Sequence, residues 1–372
     1  TANKIFVKGG IVLDGDKIMR VYEEEDAPKL TGNVIDGKGN YAIPGLIDLH
    51  FHGCKGDDVC DGDKEALGRI EASVGVTAIS PATMTLPVEE LEHVLEVAAE
   101  YKKETNDFRK ADLVGINMEG PFISHVKKGA QDEKNILPCS VEICDRFLKA
   151  SNGLVKFIGL APEESSNAIE FIQEVKDRVN VSLAHTNADY ETAATAFAAG
   201  ANHAVHLYNA MPEFTHRKPG VVGAVFDNKH VMAEIICDGI HIHPATIRAT
   251  FRMMGADRML LISDSIRATG MPDGQYTLGG QDVKVVGKRA TLGNTDTIAG
   301  SATNLMDCMR TAVKQMGLPL EVAVGCATIN PARSLDIDDQ YGSIEAGKKA
   351  HVVLLDKELN LTAVIKDGVR IC

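Results

Sequence analysis

PGLIDLHFHG, at positions 44–53, is an apolar run that ends in two histidines one residue apart. Alternate side chains of a strand point to the same side, so His50 and His52 share a face, a pairing suited to gripping one metal ion. Four later runs repeat the design. LVGINM leads to Glu119, VNVSLA to His185, HAV to His206 and RMLLIS to Asp264. An apolar run that closes on a polar, metal-capable residue is the pattern of a parallel barrel strand whose C-terminal end carries the chemistry.

Working outward from these runs, eight strands are expected, at 43–52, 75–81, 112–119, 154–161, 180–185, 203–207, 231–237 and 258–264. Stretches of helical spacing lie between them, such as VEELEHVLEVAAEYKKE at 88–104 and DYETAATAFAAG at 189–200. The right-handed βαβ rule makes such strands parallel and gathers their C-terminal ends on one face. The expected fold is therefore α/β, a (β/α)8 TIM barrel over 43–335. Segments 1–42 and 336–372 read instead as short strands with glycine turns, and are expected to pair as a small β-sandwich domain built from both ends of the chain. A further glycine-rich stretch, 275–291, is expected to form a hairpin over the barrel mouth.

Each candidate has a plainer explanation, and only the set points to a site. A lone histidine at a strand end is usually structural, Asp264 alone could cap a helix, and Arg217 or His241 alone could be a solvated loop residue. Taken together, His50, His52, Glu119, His185 and His206 make a metal-binding set. Gly-Pro after Glu119 is expected to stop its strand and leave the carboxylate at the mouth, where a cation removes the cost of burying it. Asp264, beside water activated by that ion, can take a proton and return it to a leaving amine.

The composition excludes several classes of function. No apolar run approaches the roughly 20 residues that span a bilayer, so no membrane partner is expected. A net charge of −13 argues against nucleic acid, which needs a basic face. A small anionic ligand needs only a local positive pocket, offered by His216, Arg217 and Lys218 or by His241 and His243. The 8 cysteines form no CxxC pair and no dense framework, and no basic stretch precedes an apolar segment at the start. Free thiols and a cytoplasmic location are expected.

In order along the chain, PGLIDLHFHG, NMEGPF, LAHTNA, HLYNAMPEFTHRKPG, CDGIHI, LISDSIRATG and IAGSATNL resemble the N-acetylglucosamine-6-phosphate deacetylases of the amidohydrolase superfamily. The resemblance covers nearly the whole chain. Its most specific parts are NAM followed by Arg-x-Pro-Gly, and the DGxH segment; HxH and the terminal aspartate are shared by the superfamily at large. It implies that Glu119, His185 and His206 are the principal metal ligands, that His50 and His52 hold a second ion, and that Asp264 is the catalytic acid and base. It further implies that Arg217 and His241, with Asn209 and Ala210, hold a sugar phosphate, and that Ala130 and Ile298, Ala299 and Gly300 contact the sugar or its acetyl group. One position departs from the pattern: the residue after Ala130 is often histidine in the family and is Gln131 here.

The reaction so implied is removal of the acetyl group from N-acetylglucosamine 6-phosphate, giving glucosamine 6-phosphate and acetate, by a homodimer that uses one or two divalent ions. Zn²⁺ suits these ligands best, with Fe²⁺, Mn²⁺ and Co²⁺ close behind. The alternatives are the N-acetylgalactosamine 6-phosphate epimer as substrate, or another superfamily reaction, a cyclic amidase or deaminase, which would lack the phosphate clamp. A non-catalytic relative would be expected to have lost a ligand or Asp264, and this chain keeps them all.

Overall fold

The computed structural model describes every residue except 1–4, 6, 30–31, 69–71 and 105–106. Seven parallel strands lie side by side in one curled sheet, in the order Met259–Ile262, Met232–Ile236, His203–Ala204, Asn180–Leu183, Val155–Leu160, Ile116–Phe122 and Ala82–Thr83. Each strand therefore neighbours the next one in the chain, and helices make the crossovers that parallel pairing requires. These include Val141–Ala150, Ala168–Val175, Tyr190–Ala199, Gly220–Asp227 and Pro244–Met254.

A second parallel sheet, Leu46–Asp48, Val76–Ile79 and Asp112–Leu113, lies at the start of the same run of chain. Backbone bonds tie its end to the large sheet on both sides. Asp264 donates to the His50 carbonyl at 2.9 Å and His52 to Ser265 at 2.7 Å, while Ala82 donates to Phe51 at 2.8 Å.

Local sequence explains the helices. Val88–Glu104 buries Leu91, Val94, Leu95 and Ala98 at helical spacing, with Glu89 and Glu90 in the first turn and Lys102 and Lys103 in the last, each complementing the helix dipole. Tyr190–Ala199 starts where the Asp189 side chain accepts from Thr192 N–H at 2.9 Å, and stops at Gly200, whose φ of 129° suits glycine. Among the described residues no helix is long and apolar enough to cross a membrane.

Three sequence expectations need correction. The run 43–52 is two strands: Tyr41–Pro44 pairs antiparallel with Val352–Leu355, and only Leu46–Asp48 joins a parallel sheet. Gly45 separates them at a point where an added Cβ would meet the Thr77 hydroxyl at 2.1 Å, so the chain changes sheets where no side chain fits. Gly120-Pro121 does not end its strand, which runs to Phe122. The pairing instead skips, Met118 facing Ile158 and Phe122 facing Leu160, and this irregularity absorbs the proline's missing donor. Lastly, 275–291 is not a hairpin but part of a three-stranded antiparallel sheet, Gly274–Leu278, Gln281–Val286 and Arg289–Leu292, packed on Met84, Ala130, Ile266, Ala268 and Ala299.

Both ends of the described chain meet. Val352–Leu355, Leu361–Lys366, Val369–Arg370 and Tyr41–Pro44 form a four-stranded sheet. The hairpin Gly9–Asp14 and Lys17–Glu23 joins it through Ile18, which donates to Lys348 at 2.9 Å and packs on Ile344, Ala350, Val352, Ala363 and Ile365.

Candidate active site

Six of the sequence candidates converge at the C-terminal end of the parallel strands, Glu119 within its strand and the other five just past theirs. His185, His206 and Asp264 each follow a strand end by two residues, after Leu183, Ala204 and Ile262. All three adopt left-handed backbone, with φ of 43°, 29° and 50°. Non-glycine residues take this conformation at a cost, and here it turns each side chain inward over the strand ends. Neighbouring backbone holds the turns: Ser124 donates to the His185 carbonyl at 2.8 Å, Asn209 to His206 at 2.9 Å and Ser301 to Asp264 at 2.7 Å.

Glu119 is the hub. Its Oε1 lies 3.0 Å from His185 Nε2, 2.9 Å from His206 Nε2 and 3.4 Å from His50 Nε2, and its Oε2 lies 3.4 Å from His52 Nε2. His52 Nε2 is also 3.3 Å from Asp264 Oδ1. The ligand atoms fall into two groups, Glu119 with His185 and His206, and His50 with His52 and Asp264, each gathered within 4.8 Å. All six residues are buried.

The hydrogen bonds show why a cation fits. His185 Nδ1 faces the Lys127 carbonyl at 2.8 Å and His206 Nδ1 the Asn209 carbonyl at 3.2 Å, so each Nδ1 carries a proton. In the neutral rings both Nε2 atoms are then bare lone pairs, 3.2 Å apart and aimed at a carboxylate oxygen. Three electron-rich atoms in one buried spot repel unless a positive charge sits among them. His50 Nε2 and His52 Nδ1 are buried with no hydrogen-bond partner.

The electrostatics agree. Burial pushes the Glu119 carboxyl up, but His185 and His50 with the His206 contact outweigh it and hold the group well below the usual carboxylate range. Asp264 is also held low, His52, His50 and His206 overcoming burial. Conversely, burial lowers His50, yet Glu234 and Glu119 raise it well above its ordinary value. The pocket favours positive charge.

The remaining candidates fall into two kinds. Gly129, beside Ala130, would meet His185 Cε1 at 3.2 Å if it carried a Cβ, so this loop skirts the ligand. Asn209 adjoins His206, and the Ala210 carbonyl accepts from Thr186 at 3.1 Å. Ile298, Ala299 and Gly300 lead into Ser301, which bonds Asp264, and a Cβ on Gly300 would meet the Asp264 carbonyl at 3.1 Å. His241 Nδ1 is bonded to Asp238 at 2.8 Å; burial lowers its pKa, but that bond and the Asp238 charge, with a smaller part from Asp264, raise it above the ordinary value. Arg217, by contrast, lies on an exposed segment outside the cluster, its Nη1 2.6 Å from His216 Nε2. His243 is exposed as well, capping the helix Pro244–Met254 by accepting from Ala245 N–H at 3.2 Å.

Sequence reasoning gave no role to three residues that build the site, Gln131 among them although its departure from the family pattern was noted. Glu234 accepts from His50 Nδ1; Gln131 Nε2 donates to Glu119 Oε2 at 2.7 Å; Asp238 orients His241. The signal for Glu234 was present as a carboxylate inside the apolar run VMAEII. A third group with ligand-like spacing, Asp112, His351 and Asp367, lies away from these strand ends. Lys366 Nζ fills it, 2.7 Å from Asp112 and 2.8 Å from Asp367, where a second cation would be repelled.

Comparison with known proteins extends this picture. Residues 41–371 match the family model described as the amidohydrolase family. The N-acetylglucosamine-6-phosphate deacetylase of Bacillus subtilis (strain 168) is 33% identical over 99% of this chain and 94% of its own. That of Vibrio furnissii is 37% identical over 86% of this chain and 80% of its own. A mutant of the Mycobacterium smegmatis N-acetyl-D-glucosamine-6-phosphate deacetylase, solved in complex with N-acetyl-D-glucosamine-6-phosphate, superposes with a TM-score of 0.91 at 30% identity, covering 100% of this chain and 96% of that one.

Proposed function

The chain belongs to the amidohydrolase family, in its N-acetylglucosamine-6-phosphate deacetylase branch, and we propose that it removes the acetyl group of N-acetylglucosamine 6-phosphate to give glucosamine 6-phosphate and acetate. The observation that carries this reading is the convergence of His185 Nε2 and His206 Nε2 on Glu119 Oε1, with Asp264 facing the same space across His52. Glu119, His185 and His206 hold one divalent ion, and His50 and His52 with Asp264 hold a second. Zn²⁺ is the first choice for this donor set, ahead of Fe²⁺, Mn²⁺ and Co²⁺. Such an ion supplies Lewis acidity, which lowers the pKa of water and polarises an amide carbonyl.

The protein's own groups do the rest. Asp264, ionised and buried, accepts the proton of the attacking water and hands it to the departing amine. Arg217 and His241, with Asn209 and Ala210, hold the 6-phosphate; His241 is suited because Asp238 fixes its Nδ1 and leaves Nε2 to the ligand. Ala130 and the Ile298, Ala299, Gly300 turn border the acetamide. Binding at the distant phosphate then orients the amide against Asp264.

The architecture belongs to the same proposal. The backbone bonds from Asp264 and His52 support closure of the parallel strands into an eight-stranded barrel over 43–335. The sheets that meet around Ile18 support a β-sandwich from 1–42 and 336–372. The 8 cysteines, with no CxxC spacing among them, fit a reducing cytoplasm, and a homodimer completes the reading.

The test is acetate release from N-acetylglucosamine 6-phosphate, its galacto epimer and unphosphorylated N-acetylglucosamine, by wild type and Arg217→Ala. Wild type should prefer the phosphorylated gluco sugar, and Arg217→Ala should lose kcat/KM on phosphorylated sugar by about 10–100-fold, the loss of a charge-assisted contact, with little change on the unphosphorylated one. Equal losses on both would remove Arg217 from the clamp. Preference for the galacto epimer would change the substrate and keep the mechanism.

A further inference from the structure

Glu234 lies inside the strand Met232–Ile236 with its side chain fully buried, and the mechanism above leaves it unused. Its two oxygens face four donors. Oε1 takes His203 Nε2 at 3.0 Å and Asn117 Nδ2 at 3.1 Å; Oε2 takes His50 Nδ1 at 2.9 Å and the His206 backbone N–H at 3.2 Å. A carboxylate offers about four acceptor positions, so this one is saturated.

An ionised carboxylate only accepts, so the proton between it and His50 belongs to Nδ1. That leaves His50 Nε2 as a lone pair in the neutral ring, buried without a hydrogen-bond partner, 3.4 Å from Glu119 and 3.8 Å from Asp264. A ring with its proton fixed on one nitrogen and a bare, buried second nitrogen is a prepared metal ligand. The link to His206 is of another kind. Glu234 meets only its backbone, while the His206 ring is oriented by Asn209.

We propose that Glu234 is a positioning residue that selects the Nδ1–H tautomer of His50 and thereby sets ion affinity at the His50, His52 and Asp264 group, separately from the ion at Glu119, His185 and His206. This rests on the reading that the site holds divalent metal. The two groups share a wall but draw their ligand orientation from different residues.

The test titrates Zn²⁺ into metal-stripped wild type, Glu234→Gln, His50→Gln and the double variant against a chromophoric chelator, with circular dichroism to check folding. His50→Gln identifies the binding step that belongs to its group. Glu234→Gln should weaken that same step about 10–100-fold and leave the other within about threefold. Added to His50→Gln it should cost nothing further, because both changes remove one interaction. Equal weakening of both steps, additive loss in the double variant, or a single wild-type step unchanged by Glu234→Gln would overturn the proposal. A wild type that binds no ion would instead defeat the metal reading itself. A readout that needs no Glu234 variant is the long-range ¹H–¹⁵N spectrum of Zn²⁺-loaded wild type, with His50 assigned through His50→Gln. It should show the proton on His50 Nδ1, and a proton on Nε2 would overturn the assignment.

Discussion

Asp264 is 7% exposed, and burial alone would push its carboxyl above the ordinary range. His52, His50 and His206 reverse that and hold its carboxyl below the ordinary range, so at neutral pH it is a base waiting for a proton. Asp264→Asn keeps the shape and loses the proton shuttle. It should lower kcat by about 10²–10⁴-fold, the usual worth of general acid and base catalysis, with the ion at Glu119, His185 and His206 kept and KM little changed; a near-wild-type kcat would take Asp264 out of the reaction. The residues legible from sequence, among them Glu119, His185, His206 and Asp264, share one trait, a position at or just past an apolar run. Glu234 was not legible in its role, because its partners His50, His203 and Asn117 come from other strands and only folding assembles them. Its presence inside an apolar run was still a flag, since a buried carboxylate implies partners.

At the scale of elements, the turn 298–301 positions the chain just past the parallel strand Met259–Ile262. Ser301 donates to the Asp264 carbonyl at 2.7 Å, and Ile266 donates to Ser301 at 3.0 Å. Gly300 makes this approach possible. Its φ is 59°, and a Cβ there would lie 2.4 Å from Ile266 Cγ2. Gly300→Ala combines a backbone cost of about 1–2 kcal/mol with displacement of Ile266 and its neighbour Asp264. It should lower Tm by several degrees and reduce kcat more than KM. A folded variant with unchanged Tm and kcat would show that the turn moves freely. The segments 88–104 and 189–200 were readable because their periodicity, charges and caps agree. The strand ends were not, since pairing depends on neighbours: Tyr41–Pro44 takes Val352–Leu355 as its partner although it precedes the HxH run directly.

Over the whole molecule, the sheet built from both chain ends is tied to the parallel strands through Lys366. Its ammonium, 2% exposed, lies 2.7 Å from Asp112 Oδ1 and 2.8 Å from Asp367 Oδ2, while Tyr341 donates to Asp112 at 2.7 Å. Burial raises both carboxyls, but His351 and Lys366 more than offset it and depress them below 3.8. Depressed carboxylates stabilise the fold fully above about pH 4, and that stability is lost as pH falls through their folded values. Lys366→Met should therefore cost about 2–4 kcal/mol near pH 7, at or below the loss from breaking a fully buried pair, and the deficit should shrink at pH 3. Urea unfolding at the two pH values checks this, and an equal deficit at both would refute it. The strand character of both ends was legible from their shared glycine-turn pattern; the ion cluster that joins the end sheet to the parallel strands was not, because Asp112 and Lys366 are far apart in the chain.

The central claim is that the buried set around Glu119 works by holding a divalent ion, and its most direct test is to strip the protein with a chelator, add Zn²⁺ back in steps, and follow bound metal and acetate release from N-acetylglucosamine 6-phosphate together. Release should vanish in the stripped protein and return in proportion to the first one or two ions bound, with Glu119→Gln recovering neither. Full turnover by protein shown to be free of metal would contradict the account.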